Sequence, residues 1–124
     1  MDDYESAAVR HFKDAEALRL AGRKDNAGHL IGFSAECAIN HKIKTLRTDA
    51  SAPHGHFPEL LMIARKHLQG RSLSASMHSL LKNDVLVGWS VNRRYYVTGS
   101  TSDAELQDWF VIASRLMATA GIKR

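Results

Sequence analysis

The residues that could do chemistry are few. Glu36 sits among Ala35, Cys37, Ala38 and Ile39, all small or apolar. A carboxylate placed this way, on a helix carrying little charge between 26 and 41, is predicted to face the interior. Once buried it needs a cation or several hydrogen-bond donors. No local residue supplies that cation, so the requirement points to the densest cation pair of the second half, Arg93-Arg94. The pairing reads either as a structural ion pair or as part of a site, because a guanidinium can hold a carboxylate and a phosphate together. His54-Gly55-His56 puts two imidazoles in one loop, with only Asp49 as a further ligand type nearby. That is too few for a metal centre, and a capping or packing role ahead of Pro58 is the simpler reading. Cys37 has no base at helical spacing and reads as a small hydrophobe.

Other chemistries lack their signatures. There is no phosphate-cradling G-x-x-x-x-G-K-[ST], no G-x-G-x-x-G and no H-E-x-x-H. Gly32-Phe33-Ser34-Ala35-Glu36 lacks the second glycine of a nucleophile elbow. No cofactor is expected. The 124 residues suffice for one domain, 1–124, with a real core. A composition 44% hydrophobic and 24% charged argues against a disordered tail, a fibre and a membrane bundle. One cysteine excludes an internal disulfide and, with no leader or spanning segment in view, makes the cytoplasm the expected compartment. Charge is unevenly spread. Residues 1–62 hold 8 Lys+Arg against 9 Asp+Glu, whereas residues 63–124 hold 9 against 4, so the whole excess of positive charge lies in the second half. That suits an acidic partner such as RNA or a nucleotide phosphate.

These residues are positioned by a pattern that is helical nearly throughout. Tyr4, Ala8, Phe12, Ala15 and Leu18 recur at spacings of three and four, and Gly22 stops that helix. Asp25 or Asn26 is expected to cap a second helix reaching about Arg47, with Leu30, Ile31, Phe33, Ala38, Ile43 and Leu46 on its buried side. Residues 48–56 form a loop, and Pro58 opens a third helix ending near Leu68. A fourth is predicted over about 73–83 with Ser72 as cap, and 84–100 is irregular. Ser102-Asp103-Ala104-Glu105 is a capping box ahead of Leu106, Trp109, Phe110, Ala113, Leu116 and Met117 at helical period, closed by Gly121. The expected fold is an all-α antiparallel bundle of about five helices. Small residues at 28, 32 and 35 permit close helix packing and a homodimer.

Several stretches resemble the HEPN domain superfamily (higher eukaryotes and prokaryotes nucleotide-binding). They are Asp14-Ala15-Glu16-Ala17-Leu18, Ala27-Gly28-His29-Leu30-Ile31-Gly32-Phe33-Ser34-Ala35-Glu36-Cys37-Ala38-Ile39-Asn40, His56-Phe57-Pro58-Glu59-Leu60 and Trp89-Ser90-Val91-Asn92-Arg93-Arg94-Tyr95. The resemblance implies a helical bundle, usually dimeric, that acts on RNA or nucleotides. Some members are metal-independent ribonucleases, often toxins paired with a nucleotidyltransferase. It also implies a polar site between the second helix and the segment before the last one. There Arg94, which precedes Tyr95 as in the family's R-Y, would turn inward to Glu36. Arg93 would face solvent or phosphate, and Tyr95 would stack on a base. Asn40 stands where many members carry Lys and is assigned to the same nucleotide-binding face. The family's R-x4–6-H has no histidine after Arg93-Arg94 in this chain.

Two functions follow from the resemblance. In one, Arg94 stabilises the phosphorane-like transition state of RNA cleavage, Glu36 orients it and His56 serves as acid or base. In the other, the same cleft binds RNA, a nucleotide or a partner protein without catalysis, as a regulator or dimeric scaffold. The missing histidine favours the second.

Overall fold

The computed structural model describes residues 3–46, 55–70 and 74–124. Among these the chain is all-helical, with no strand. The helices are α1 (Tyr4–Leu20), α2 (Lys24–Leu46), α3 (Glu59–Leu68), α4 (Ala75–Leu81) and α5 (Asp103–Thr119), with a 3₁₀ helix at Val91–Tyr95. No helix among the described residues is long and apolar enough to cross a membrane.

Local sequence explains most helix ends. The Asp3 carboxylate accepts the Ser6 N–H at the start of α1. Gly22 and Gly121 follow α1 and α5 with φ of +78° and +75°. In that left-handed conformation the next N–H returns to the helix: Arg23 donates to the Leu18 carbonyl and Ile122 to that of Met117. The capping box of α5 is complete, with Ser102 Oγ accepting the Glu105 N–H at 3.1 Å and Glu105 accepting the Ser102 N–H at 3.1 Å. Asp25 does not cap α2, because that helix already begins at Lys24. Its carboxylate instead accepts the N–H groups of Gly99 and Thr101, tying the start of α2 to the turn before α5. Those donors hold the Asp25 carboxyl below its usual range. Pro58 occupies the cap position of α3. The fourth helix is shorter than expected, and Ser72 lies outside the described residues.

The central helix is α2, buried at 11 positions that include Gly28, Gly32 and Ala35. It packs on α1 and α5, and the 3₁₀ helix crosses it. The small residues do not await a second copy of the chain; they are filled from within. The Trp89 indole lies on Gly32 and donates Nε1–H to the Gly28 carbonyl at 2.8 Å. A Cβ on Gly28 would stand 2.9 Å from the Trp109 ring. Both indoles are buried, and Phe12 meets Phe110 edge-on between α1 and α5. Segment 84–100 is therefore a strap across α2, pinned by Trp89 at its middle.

Candidate functional site

The buried carboxylate is where the composition of its neighbours put it. Glu36 is 4% exposed, and both of its oxygens are occupied. Oε1 lies 2.8 Å from His56 Nδ1, and Oε2 accepts the Phe57 N–H at 2.7 Å. These donors come from the entry to α3, where a backbone N–H ahead of the first turn has no helical partner. His56 is the side-chain partner of Glu36, and Arg94 is not. Arg94 belongs to the strap, which crosses α2 near Gly28 and His29. Glu36 lies seven residues further on, about 10 Å along the helix axis. Burial lifts the Glu36 carboxyl above its usual range, and the bonds from His56 and Phe57 only partly offset this.

That shift carries a pH dependence with a definite sign. The folded state holds the Glu36 proton more tightly than the unfolded chain does, so the cost of its buried charge is absent below the ordinary value of 4.5 and grows as pH rises through it. In Glu36→Gln the amide oxygen still accepts from Phe57, and the amide N–H donates to a His56 of the opposite tautomer. Wild type is expected to lose stability relative to this variant between about pH 4 and pH 7. Urea denaturation of both proteins across that range checks it; a constant difference would mean that the carboxyl titrates alike in both states.

The two arginines are reversed from expectation. Arg93 turns inward, its side chain 11% exposed. Its guanidinium donates to the Gly88 carbonyl at 3.1 Å, reaches the Ser100 carbonyl and Glu105 Oε1 at 3.4 Å each, and lies near the rings of Tyr96 and Trp109. Arg94 is exposed, 5.3 Å from the ring centre of Tyr95, itself 78% exposed. The reason is geometric. Successive residues of a 3₁₀ helix point about 120° apart, and the free carbonyls of Gly88 and Ser100 converge on position 93.

His29 is the residue that sequence reasoning passed over. Its imidazole lies 4.6 Å from the Phe33 ring and stacks at 6.1 Å on Trp89. His56 is 5.9 Å from the same Phe33 ring. Burial, then the charges of Arg94 and His56, hold the His29 imidazole below its ordinary value and so neutral. The available signal was its place one turn before Phe33, among small residues that leave room for rings. Thus His29 and His56 meet at the Phe33 ring, with Glu36 behind His56, and Arg94, carrying Tyr95 beside it, lies near enough to His29 to bear on its charge.

Asn40 is not on this exposed face. It is 6% exposed, and its Oδ1 has no hydrogen-bond partner. The Cys37 thiol is pushed up to about 11, by burial first and then by the Glu36 charge, which makes it a poor nucleophile near neutrality. Among the described residues no three His, Cys, Asp or Glu are grouped to hold a metal; His54 and Asp49 lie outside those residues. No known protein family, no curated protein and no solved structure matches the chain.

Proposed function

We propose that the chain is a HEPN-like module that binds RNA or nucleotides on the face formed by Arg94, Tyr95, His29 and His56. The observation that carries this reading is the exposed Arg94–Tyr95 pair, with Arg94 near enough to His29 to bear on its charge. A guanidinium lying by a phenol offers a stacking surface for a base and a charge for its phosphate. The positive second half of the chain fits the same ligand. Within this proposal the protein works in the cytoplasm as a homodimer, with a nucleotidyltransferase as a partner protein. Since Gly28 and Gly32 are filled by the chain's own indoles, a dimer would use another surface.

The test is fluorescence anisotropy with labelled single-stranded RNA over a salt series. Tyr95→Ala is expected to weaken binding by about tenfold, in line with the ~1–3 kcal/mol of a base–aromatic stack. Arg94→Ala should weaken it similarly and reduce the salt slope by about one. Unchanged affinity in both variants would reject the face.

A second reading is favoured by one observation. A carboxylate on Nδ1 fixes the neutral His56 tautomer with Nε2 unprotonated, which is how a histidine is prepared as a base. In this reading the protein is a metal-independent endoribonuclease, an RNA toxin, using His56 with Arg94. Cleavage of labelled tRNA in EDTA, abolished in His56→Ala, would support it.

A further inference from the structure

We infer that His29 is a phosphate-binding residue, completing a subsite with Arg94 and His56, and that it takes up a proton as phosphate binds. This rests on the RNA or nucleotide reading of the same face.

Three observations carry it. First, the two imidazoles share the Phe33 ring as neighbour, at 4.6 Å and 5.9 Å, so they lie on one patch rather than at opposite ends of the bundle. Second, no hydrogen bond holds the His29 ring among the described residues, and its buried Nδ1 lacks a partner. The ring is kept by Phe33 and Trp89 alone, and it can turn about its Cβ–Cγ bond without breaking a hydrogen bond. A histidine serving only the fold would normally be anchored by one. Third, Arg94 and His56 both bear on His29, and neither carboxylate nearby is free to neutralise them there. Glu36 is engaged by His56 and Phe57, and Asp25, one turn earlier on α2, is engaged by Gly99 and Thr101. Across Phe33, α1 contributes His11, also held below its ordinary value, by burial first and then by Arg10, with Asp14 opposing them. The patch thus sets the Arg94 guanidinium and two further imidazoles around half-buried His29, a setting unfavourable to a second charge until an anion enters.

A bound phosphate reverses that balance. It offsets the charge of Arg94 and accepts a hydrogen bond from the imidazolium, so His29 takes a proton from the buffer acid as the anion binds. Where one proton is taken up, affinity falls by up to about tenfold per pH unit as pH rises.

Calorimetry at about pH 7, in two buffers of different ionisation enthalpy, measures the protons taken up. Short single-stranded oligouridine and uridine monophosphate are the two probes, and whichever binds identifies the source of the phosphate. Wild type is expected to take up a fraction of a proton. His29→Phe, which keeps a ring on Phe33 and Trp89, should take up none and bind roughly tenfold more weakly at pH 6, with the gap closing by pH 8. In parallel, the His29 ring signals of wild type should titrate higher with probe present, a readout that does not depend on the variant's folding. Binding without proton uptake, or equal uptake in His29→Phe, overturns the inference and leaves the RNA reading standing. Failure of both probes to bind removes both.

Discussion

Gly32→Ala is expected to destabilise the protein by about 3 kcal/mol, against the usual gain from replacing a helical glycine. In an exposed helix the change would stabilise by up to about 1 kcal/mol. Here a Cβ on Gly32 would overlap the six-membered ring and Nε1 of the Trp89 indole. The obstacle is a rigid bicycle, buried to 2% exposure and tied by Nε1 to the Gly28 carbonyl, so it cannot swing aside cheaply. Either the strap lifts from α2 or the hydrogen bond breaks. Overpacking of this kind costs roughly 1–3 kcal/mol and sometimes more. Gly28→Ala is the milder neighbour, since its Cβ would stand 2.9 Å from Trp109, a smaller overlap than the one at Gly32. Urea denaturation of Gly32→Ala, Trp89→Leu and the double variant measures the coupling. The expected result is that Trp89→Leu removes most of the Gly32→Ala penalty. An alanine at 32 that stabilises the chain would place the indole elsewhere. Because Trp89 anchors the segment carrying Arg93, Arg94 and Tyr95, the same variant should also weaken RNA binding under the proposed function.

The elements that position this face were legible where the signal is local. The capping box at Ser102 and Glu105 encodes the start of α5 within four residues, and the Phe12, Ala15 stripe encodes the buried side of α1. The irregularity of 84–100 was legible too, because Gly88 and the clustered polar residues after it fit no single period. Burial of Glu36 could be read from its flanking residues. Its partner could not, since His56 and Arg94 are both remote in sequence and nothing local distinguishes them. The deciding fact is tertiary: α3 enters beside Glu36, whereas the strap crosses α2 two turns earlier. The same limit governed Gly28 and Gly32. Small residues announce a close approach, yet a second helix, a second chain and an indole from a distant strap all leave the same trace. The inward turn of Arg93 depended on carbonyls at 88 and 100 that only a folded strap brings together.

Arg93→Ala is expected to cost about 2–3 kcal/mol of stability, and Arg94→Ala within about 0.5 kcal/mol of none. The Arg93 guanidinium is the hub of the strap. It ties Gly88 on one side of the 3₁₀ helix to Ser100 on the other, reaches Glu105 in the first turn of α5, and lies over Trp109 at 4.9 Å. Removing it leaves two carbonyls without their donor and opens space beside a buried indole. Hydrogen bonds from a charged donor are worth ~1.5–3 kcal/mol, and a partly desolvated cation–π contact adds about 1 kcal/mol. Glu105 limits the damage, because it keeps its bonds to Ser102 after Arg93 is gone. Arg93→Lys should recover little, since an ammonium cannot span the two carbonyls as a planar fork does. The variants also separate folding from function. Arg94→Ala should unfold like wild type and bind RNA more weakly, whereas Arg93→Ala should lose binding only in step with its loss of structure. Thermal or urea unfolding, read beside anisotropy on the same samples, decides the assignment. If Arg94→Ala were the destabilised variant and Arg93→Ala the stable one, the inward residue would be Arg94, and the face proposed for RNA would have to be rebuilt around Arg93.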